Sequence, residues 1–302
     1  MNGYGIGLAA ALAMCAGLVL LLTRRGPGLH RGLLLCGVSA AGGLLAARLV
    51  YWLGAADFFI GRVHSAGSFF WWTDGGFSLF GAVAGAAGAA WLAGRRMKLP
   101  VRDLDALALP VMLFAAEERL LEWTACGLDF GMRLESLAWL TVPDEFGRVL
   151  NVALIEAILL AAMAGGLLWR MKHRREHSIR LRDALFMLGL VETLMISMRR
   201  DTYMMWGFVH QEQLYFYLLS AGIVMLAGFE RRRLPAAVAV SLLTAGAIVF
   251  LEFALDGRIR VPFAFMQAWA DEFWYSLFIL VLAGFAAWYF RLGRPEREEK
   301  TV

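Results

Sequence analysis

Residues 231–254 read RRRLPAAVAVSLLTAGAIVFLEFA, three arginines followed by 21 residues in which Glu252 is the single charged side chain. A helix of about 20 apolar residues is long enough to cross the hydrocarbon core of a bilayer. Arginines at one end of such a helix are typical of its cytoplasmic side. The segment therefore predicts a transmembrane helix, and the rest of the chain repeats this pattern.

The composition favours a membrane protein throughout. The 302 residues are 60% hydrophobic and 18% charged with a mean hydropathy of +0.62, whereas soluble domains are about 25% charged. We therefore expect an all-α fold, a polytopic transmembrane helical bundle. Nine apolar runs are candidate spans, at 4–22, 33–53, 76–94, 104–122, 149–169, 183–198, 208–229, 234–254 and 272–290.

The basic residues indicate how the chain is oriented. Five alternate connections hold 20 of the 29 Lys and Arg residues, at 24–31, 95–102, 170–182, 231–233 and 291–300. Because Lys and Arg concentrate on the cytoplasmic side of membrane proteins, the N-terminus is expected outside and the C-terminus inside. If the weakly hydrophobic fourth or sixth run were not a span, the basic connections after it would fall on the opposite side of the membrane, and the observed alternation would be lost. The positive charge lies at helix ends and does not indicate a nucleic-acid partner.

Several charged residues lie inside the predicted spans, toward their outer side. Such charges usually pair with one another, face a wet cavity or take part in chemistry. One interpretation is therefore a set of interhelical salt bridges or side chains that reach the interface. Another is an outward-opening pocket whose arginines bind a phosphate-bearing headgroup, since guanidinium groups bind phosphate bidentately. The residues are Arg48, Glu117, Glu118, Arg119, Glu122, Glu156, Glu192 and Arg199.

Other patterns indicate packing rather than chemistry. Gly81 and Gly85 have the four-residue spacing that lets two helices approach closely. The three cysteines lack the spacing of metal ligands. His173 and His177 lie in a strongly basic connection, which would repel a metal cation. The sequence predicts neither a cofactor nor a metal site.

Taken in order, several segments resemble motifs of the bacterial prolipoprotein diacylglyceryl transferase family. Ala47–Tyr51 (ARLVY) resembles the family's Gly-Ala-Arg-Leu-x-Tyr segment. Gly75–Gly81 (GGFSLFG) resembles its Gly-Gly-Met-Ser-Phe-His-Gly signature. Arg119–Gly131 resembles the central Arg-x-Gly-Asn-Phe-x-Asn-Gly-Glu-Leu-x-Gly stretch at its arginine and glycines. Weaker similarities continue at Leu154–Ala157, at the sixth span ending in Arg199, and at Gln213-Leu214.

The resemblance implies a function at the outer face of the bacterial inner membrane. The family moves the diacylglyceryl group of phosphatidylglycerol to the lipobox cysteine of a lipoprotein precursor. It implies a seven-helix domain over residues 1–230, with 231–302 as two additional helices and a short cytoplasmic tail. The implied partners are a phosphatidylglycerol-like phospholipid and a lipoprotein precursor or another membrane protein. The lipid-binding positions implied are Arg48, Tyr51, Gly76, Ser78, Glu156, Arg199 and Gln213.

The sequence also departs from the family pattern where the chemistry is expected. The signature's histidine is replaced by Phe80, which cannot accept a proton. A transferase reaction would therefore need another base, and the nearest carboxylates are Glu118 and Glu122 beside Arg119. Three functions stay open: a divergent transferase with Arg119, Glu122 and Glu118 as catalytic residues, a non-catalytic lipid- or partner-binding relative, and a transporter.

Overall fold

The structure is a computed structural model, and nine α-helices occur within the residues it describes. Those residues are 12–20, 29–62, 66–70, 76–99, 104–125, 130–133, 140–144, 147–174, 180–199, 205–260 and 270–292. The helices are α1 (residues 12–20), α2 (Leu29–Gly54), α3 (Leu79–Arg96), α4 (Ala108–Ala125), α5 (Val152–Arg174), α6 (Leu181–Met198), α7 (Gln211–Glu230), α8 (Leu234–Phe253) and α9 (Ala270–Leu292). Each helix overlaps one of the nine apolar runs.

Five of these helices are long and apolar enough to cross a membrane. They include α2, α5 and α7 and, in the second half of the chain, Leu234–Arg258 and Ala270–Leu292. The helical membrane bundle expected from the sequence is thus confirmed at this level. Neither α4 nor α6 meets the same criterion because each carries more than two charged residues. These charges are Glu117, Glu118, Arg119 and Glu122 in α4, and Arg182, Asp183 and Glu192 in α6.

A small antiparallel sheet lies where the sequence indicated an outer loop between the fourth and fifth spans. Its strands are β1 (Phe130–Arg133), β2 (Thr141–Asp144) and β3 (Gly147–Asn151), in the order β1-β3-β2. Asp144 pairs with Gly147 at the tip of the β2–β3 hairpin, and Gly147 has a φ of +124°, a conformation that favours glycine. The sheet matters for the site because β3 leads directly into α5.

The chain divides into two compact units, and the division falls within α7. The first unit comprises Met1–Met205 and His210–Phe216, and the second comprises Trp206–Val209 and Tyr217–Val302. A short hairpin of β4 (Met205–Trp206) and β5 (Val209–His210) precedes α7 in the chain. The predicted domain boundary at residue 230 falls 14 residues beyond Phe216, the last residue of the first unit.

In the first unit, α2 and α3 pack closely through glycines. A Cβ atom added at Gly81 would lie 2.5 Å from the carbonyl oxygen of Ala46 and 2.7 Å from the Cα of Ala47. One added at Gly85 would meet Ala46 and the backbone of Gly42. Only glycine leaves room for this approach, so the close packing expected from the Gly81–Gly85 spacing is confirmed.

Aromatic side chains pack together in the second unit. The hydroxyl of Tyr217 donates a hydrogen bond to the carbonyl oxygen of Ser241, and the ring of Tyr217 lies 6.1 Å from that of Phe285. Phe250 and Trp274 join α8 to α9 with their ring centroids 6.1 Å apart. Tyr217, Trp274 and Phe285 are buried by this packing, whereas other faces of α8 and α9 expose large apolar side chains such as Leu243.

Candidate functional site

Three helices of the first unit bring a cluster of charged side chains together around Arg119 of α4. Its Nε lies 2.5 Å from Oε1 of Glu156 in α5, and its Nη2 lies 3.1 Å from Oε2 of Glu192 in α6. Its Nη1 lies 3.4 Å from Oε2 of Glu118, its neighbour in α4. One guanidinium group therefore contacts three carboxylates, two of them on other helices. We call Glu118, Arg119, Glu156, Glu192 and Arg199 the ion cluster.

Arg199 completes the ion cluster from the C-terminal end of α6. Its Nη2 lies 3.0 Å from Oε2 of Glu156, so each oxygen of Glu156 contacts a different arginine. The backbone of Arg199 is held by a bridge to Gly131 of β1. A Cβ atom at Gly131 would clash with the side chain of Val152 and lie 2.9 Å from the carbonyl oxygen of Met198. Gly131, the last glycine of the stretch Arg119–Gly131, thus lets the sheet approach the end of α6.

The local sequence also explains how Glu156 is positioned. Asn151, the last residue of β3, accepts a hydrogen bond at its Oδ1 from the backbone N–H of Leu154 at 3.0 Å. Asparagine is among the favoured residues for capping a helix N-terminus in this way. The cap defines the start of α5 and places Glu156 in its second turn, facing α4 and α6.

The ion cluster lies inside the protein. Glu156 and Glu192 are fully buried, and Arg119 is 2% exposed. Burying an isolated ion costs several kcal/mol even after relaxation, and only close pairing with good hydrogen bonds offsets that cost. The most accessible carboxylate is Glu118, whose side chain is 14% exposed. The ion cluster therefore joins α4, α5 and α6 through buried charges that stabilise one another by pairing.

Arg48 belongs to a different set of contacts. Its guanidinium group donates to the carbonyl oxygens of Phe69 (2.9 Å), Gly76 (3.0 Å) and Ser68 (2.8 Å). It is fully buried and also lies near the ring of Tyr51, 5.6 Å from the centroid. These hydrogen bonds tie α2 to the segment that precedes α3. In this conformation Arg48 binds main chain, although the sequence suggested that it binds phosphate.

Gly76 and Ser78 also have architectural roles in the structure. Gly76 has a φ of +70°, and a Cβ atom there would collide with the ring of Tyr51. Ser78 caps α3, because its Oγ accepts a hydrogen bond from the backbone N–H of Gly81 at 3.1 Å. Residues 76–81 therefore form a tight entry into α3, which packs closely on α2.

The start of α7 involves two further positions from the sequence, Gln213 within α7 and Phe80 of α3, which packs against it. Gln213 is fully buried, and its Nε2 donates to the carbonyl oxygen of Thr193, the residue after Glu192. Phe80 packs against the rings of Tyr215 and Phe216, with centroids 5.3 and 5.4 Å away. The position of the family's histidine is thus part of an aromatic cluster.

The structure brings some of the predicted site residues together and separates others. Arg119, Glu118, Glu156 and Arg199 are in the ion cluster, whereas Arg48, Tyr51, Gly76 and Ser78 organise the entry into α3. Glu122 lies in the last turn of α4, but its side chain is outside the described residues. Glu192 was recognised as a charge inside a span but was given no catalytic or lipid-binding role, and in the structure it contacts Arg119. Its signal was a carboxylate inside an otherwise apolar span.

No family model matches this sequence, and no curated protein matches it either. The resemblance to the diacylglyceryl transferases therefore rests on the six motifs themselves. Within the described residues, no group of three His, Cys, Asp or Glu side chains is placed to hold a metal ion.

Proposed function

We propose that this chain is a non-catalytic membrane protein that binds a lipid or protein partner and is built on the arrangement of the diacylglyceryl transferases. It spans the bacterial cytoplasmic membrane nine times, with its N-terminus outside and its C-terminus inside. Residues 1–230 form the seven-helix transferase-like part, and 231–302 add two helices. The nine helices and the alternation of basic connections support this topology.

One observation carries the proposal: the guanidinium group of Arg119 is buried and already contacts three carboxylates. A phosphate bound there would have to displace a carboxylate and would add negative charge to a cluster with three carboxylates and two guanidinium groups. Phe80, packed between aromatic rings, offers no proton acceptor in place of the family's histidine. These features favour a scaffold in which ion pairing has replaced phosphate binding.

A transferase assay tests this directly. The purified full-length protein is incubated with labelled phosphatidylglycerol and a lipobox peptide, and release of glycerol phosphate is measured. We expect none, and we expect mass spectrometry of the gently solubilised protein to find a stoichiometric lipid or protein partner. Release of glycerol phosphate that is lost in Arg119→Gln would overturn the proposal.

Diacylglyceryl transfer is the second candidate, and the partial exposure of Glu118 favours it. A base must reach its substrate, and Glu118 is the most accessible carboxylate of the ion cluster and contacts Arg119. In this alternative Glu118 or Glu122 removes the proton from the acceptor thiol, while Arg119 binds the phosphate of the lipid. The same assay with Glu118→Gln and Glu122→Gln identifies the base if any turnover is found.

A further inference from the structure

Two carboxylates of the ion cluster share one arginine and differ in how they are satisfied. Glu156 of α5 contacts Arg119 through Oε1 and Arg199 through Oε2. Glu192 of α6 contacts Arg119 through Oε2, but its Oε1 has no hydrogen-bond donor among the described residues. Both side chains are fully buried, and both contact the guanidinium group of Arg119. Oε1 of Glu192 is therefore a buried acceptor of the ion cluster that has no hydrogen-bond donor among the described residues.

The charges of the ion cluster indicate which of its carboxylates carries a proton. The cluster holds one more carboxylate than guanidinium groups. Two neighbouring carboxylates in a low-dielectric site cannot both ionise at small cost, and one of them then retains a proton. Glu156, with a guanidinium group at each oxygen, is the better stabilised anion. The proton is consequently expected on Glu192, where Oε1 lacks a donor.

We propose that Glu192 and Glu156 form a proton-binding site inside the protein. A proton from the medium binds Oε1 of Glu192 and forms an O–H bond, and the neutral carboxyl group then donates a hydrogen bond to the ionised carboxylate of Glu156. No bond of the protein breaks, and the charge of the cluster rises by one unit. The proposal does not depend on the proposed function, because either a binding protein or a transferase can contain this site.

The neighbouring elements supply the groups that tune this site. Glu118 and Arg119 face it from α4, and Arg199 faces it from the end of α6. From α7, the amide of Gln213 binds the backbone next to Glu192. Glu118 raises the local negative charge and favours proton binding, whereas the two arginines oppose it. Arg119 contacts both carboxylates of the pair, whereas Arg199 contacts Glu156. The two arginines therefore disfavour protonation of Glu156 more strongly than protonation of Glu192.

Infrared spectroscopy of the full-length protein in nanodiscs tests the proposal. A protonated carboxyl group gives a C=O stretching band that an ionised carboxylate lacks. We expect this band at neutral pH in the native protein and in Asp271→Asn, a matched loss of an exposed carboxylate in α9, and we expect it to be absent in Glu192→Gln. Absence of the band in the native protein, or its persistence in Glu192→Gln, would overturn the proposal.

Thermal unfolding adds a second readout. Glutamine resembles the neutral form of glutamate, so Glu192→Gln is expected to keep the melting temperature within about 3 °C of the native value. Glu156→Gln removes the anion that pairs with two buried arginines, and a loss of about 10 °C or more is expected. The reverse order of the two variants would contradict the proposal. If neither variant folds, labelling the native protein with ¹³C-glutamate decides whether the band belongs to a glutamate.

Discussion

Replacing Arg119 with glutamine is the most direct test of the ion cluster. The native side chain has three carboxylates within 3.4 Å, on α4, α5 and α6. Removing its charge leaves Arg199 as the remaining cation of the ion cluster, in contact with Glu156 at 3.0 Å. Loss of one partner from a buried ion pair costs roughly 3–5 kcal/mol, because the remaining charge stays buried. We therefore expect Arg119→Gln to lower the free energy of unfolding by about 3 kcal/mol or more.

The assay is unfolding in mixed micelles by increasing fractions of sodium dodecyl sulfate, followed by circular dichroism and tryptophan fluorescence. Arg291→Gln is the matched control, since Arg291 is an exposed arginine in the last turn of α9. We expect no measurable change for this variant. The double variant Arg119→Gln with Glu156→Gln should cost less than the sum of the two single variants, with a coupling of about 1–3 kcal/mol.

Two outcomes would refute the reasoning. If Arg119→Gln unfolded at the same detergent fraction as Arg291→Gln, the cluster would contribute nothing to holding the helices together. If the costs of the two single substitutions simply added, Arg119 and Glu156 would not be energetically coupled despite a separation of 2.5 Å.

Three further predictions concern the elements that position the site. Gly81→Leu should destabilise the protein by about 1–3 kcal/mol because its Cβ meets the backbone of α2, whereas Gly88→Leu in the same helix, where nothing lies within 4 Å, should have little effect on detergent unfolding. Arg48→Lys replaces three separate guanidinium nitrogens, each bonded to its own carbonyl oxygen, by a single nitrogen that cannot occupy all three positions. Labelling of a cysteine introduced at the buried Ser68 should therefore become about tenfold faster, with Arg95→Lys unchanged; equal rates in the two variants would contradict this role of Arg48. Asn151→Ala should cost about 1 kcal/mol through loss of the α5 cap while Asn151→Asp retains stability, and an equal loss in both would exclude capping as the cause.

The position of the charged residues was visible in the sequence, but their partners were not. Glu118, Arg119, Glu156 and Arg199 stood out because charges are rare inside apolar runs. In the structure Arg119 contacts Glu156 and Glu192, which are 37 and 73 residues away in the chain. Contacts between residues so distant in the sequence depend on which faces of the three helices pack together. The periodicity within one helix does not indicate which face of another helix it meets.

Arg48 and its neighbours in the motifs show that a sequence pattern alone does not distinguish ligand binding from a structural role. The order of arginine, tyrosine and glycines resembles a family motif and therefore suggested lipid binding, and in the structure these residues contact one another. Gly76 has a positive φ beneath the ring of Tyr51, and Arg48 binds three main-chain carbonyl groups. The residues of a sequence motif act together, but they can do so either in binding a ligand or in forming a turn.

Segments such as RRRLPAAVAVSLLTAGAIVFLEFA determined by themselves that this chain forms apolar helices, because hydrophobic length and the placement of arginines are local properties governed by transfer into lipid. The sequence also determined that Gly81 and Gly85 would allow close packing, since the absence of a side chain is local too. Only the tertiary structure decided which charges meet. Glu192 faces Arg119 because α4, α5 and α6 pack with those particular faces inward, and a buried charge is stabilised by the partner it reaches across that interface.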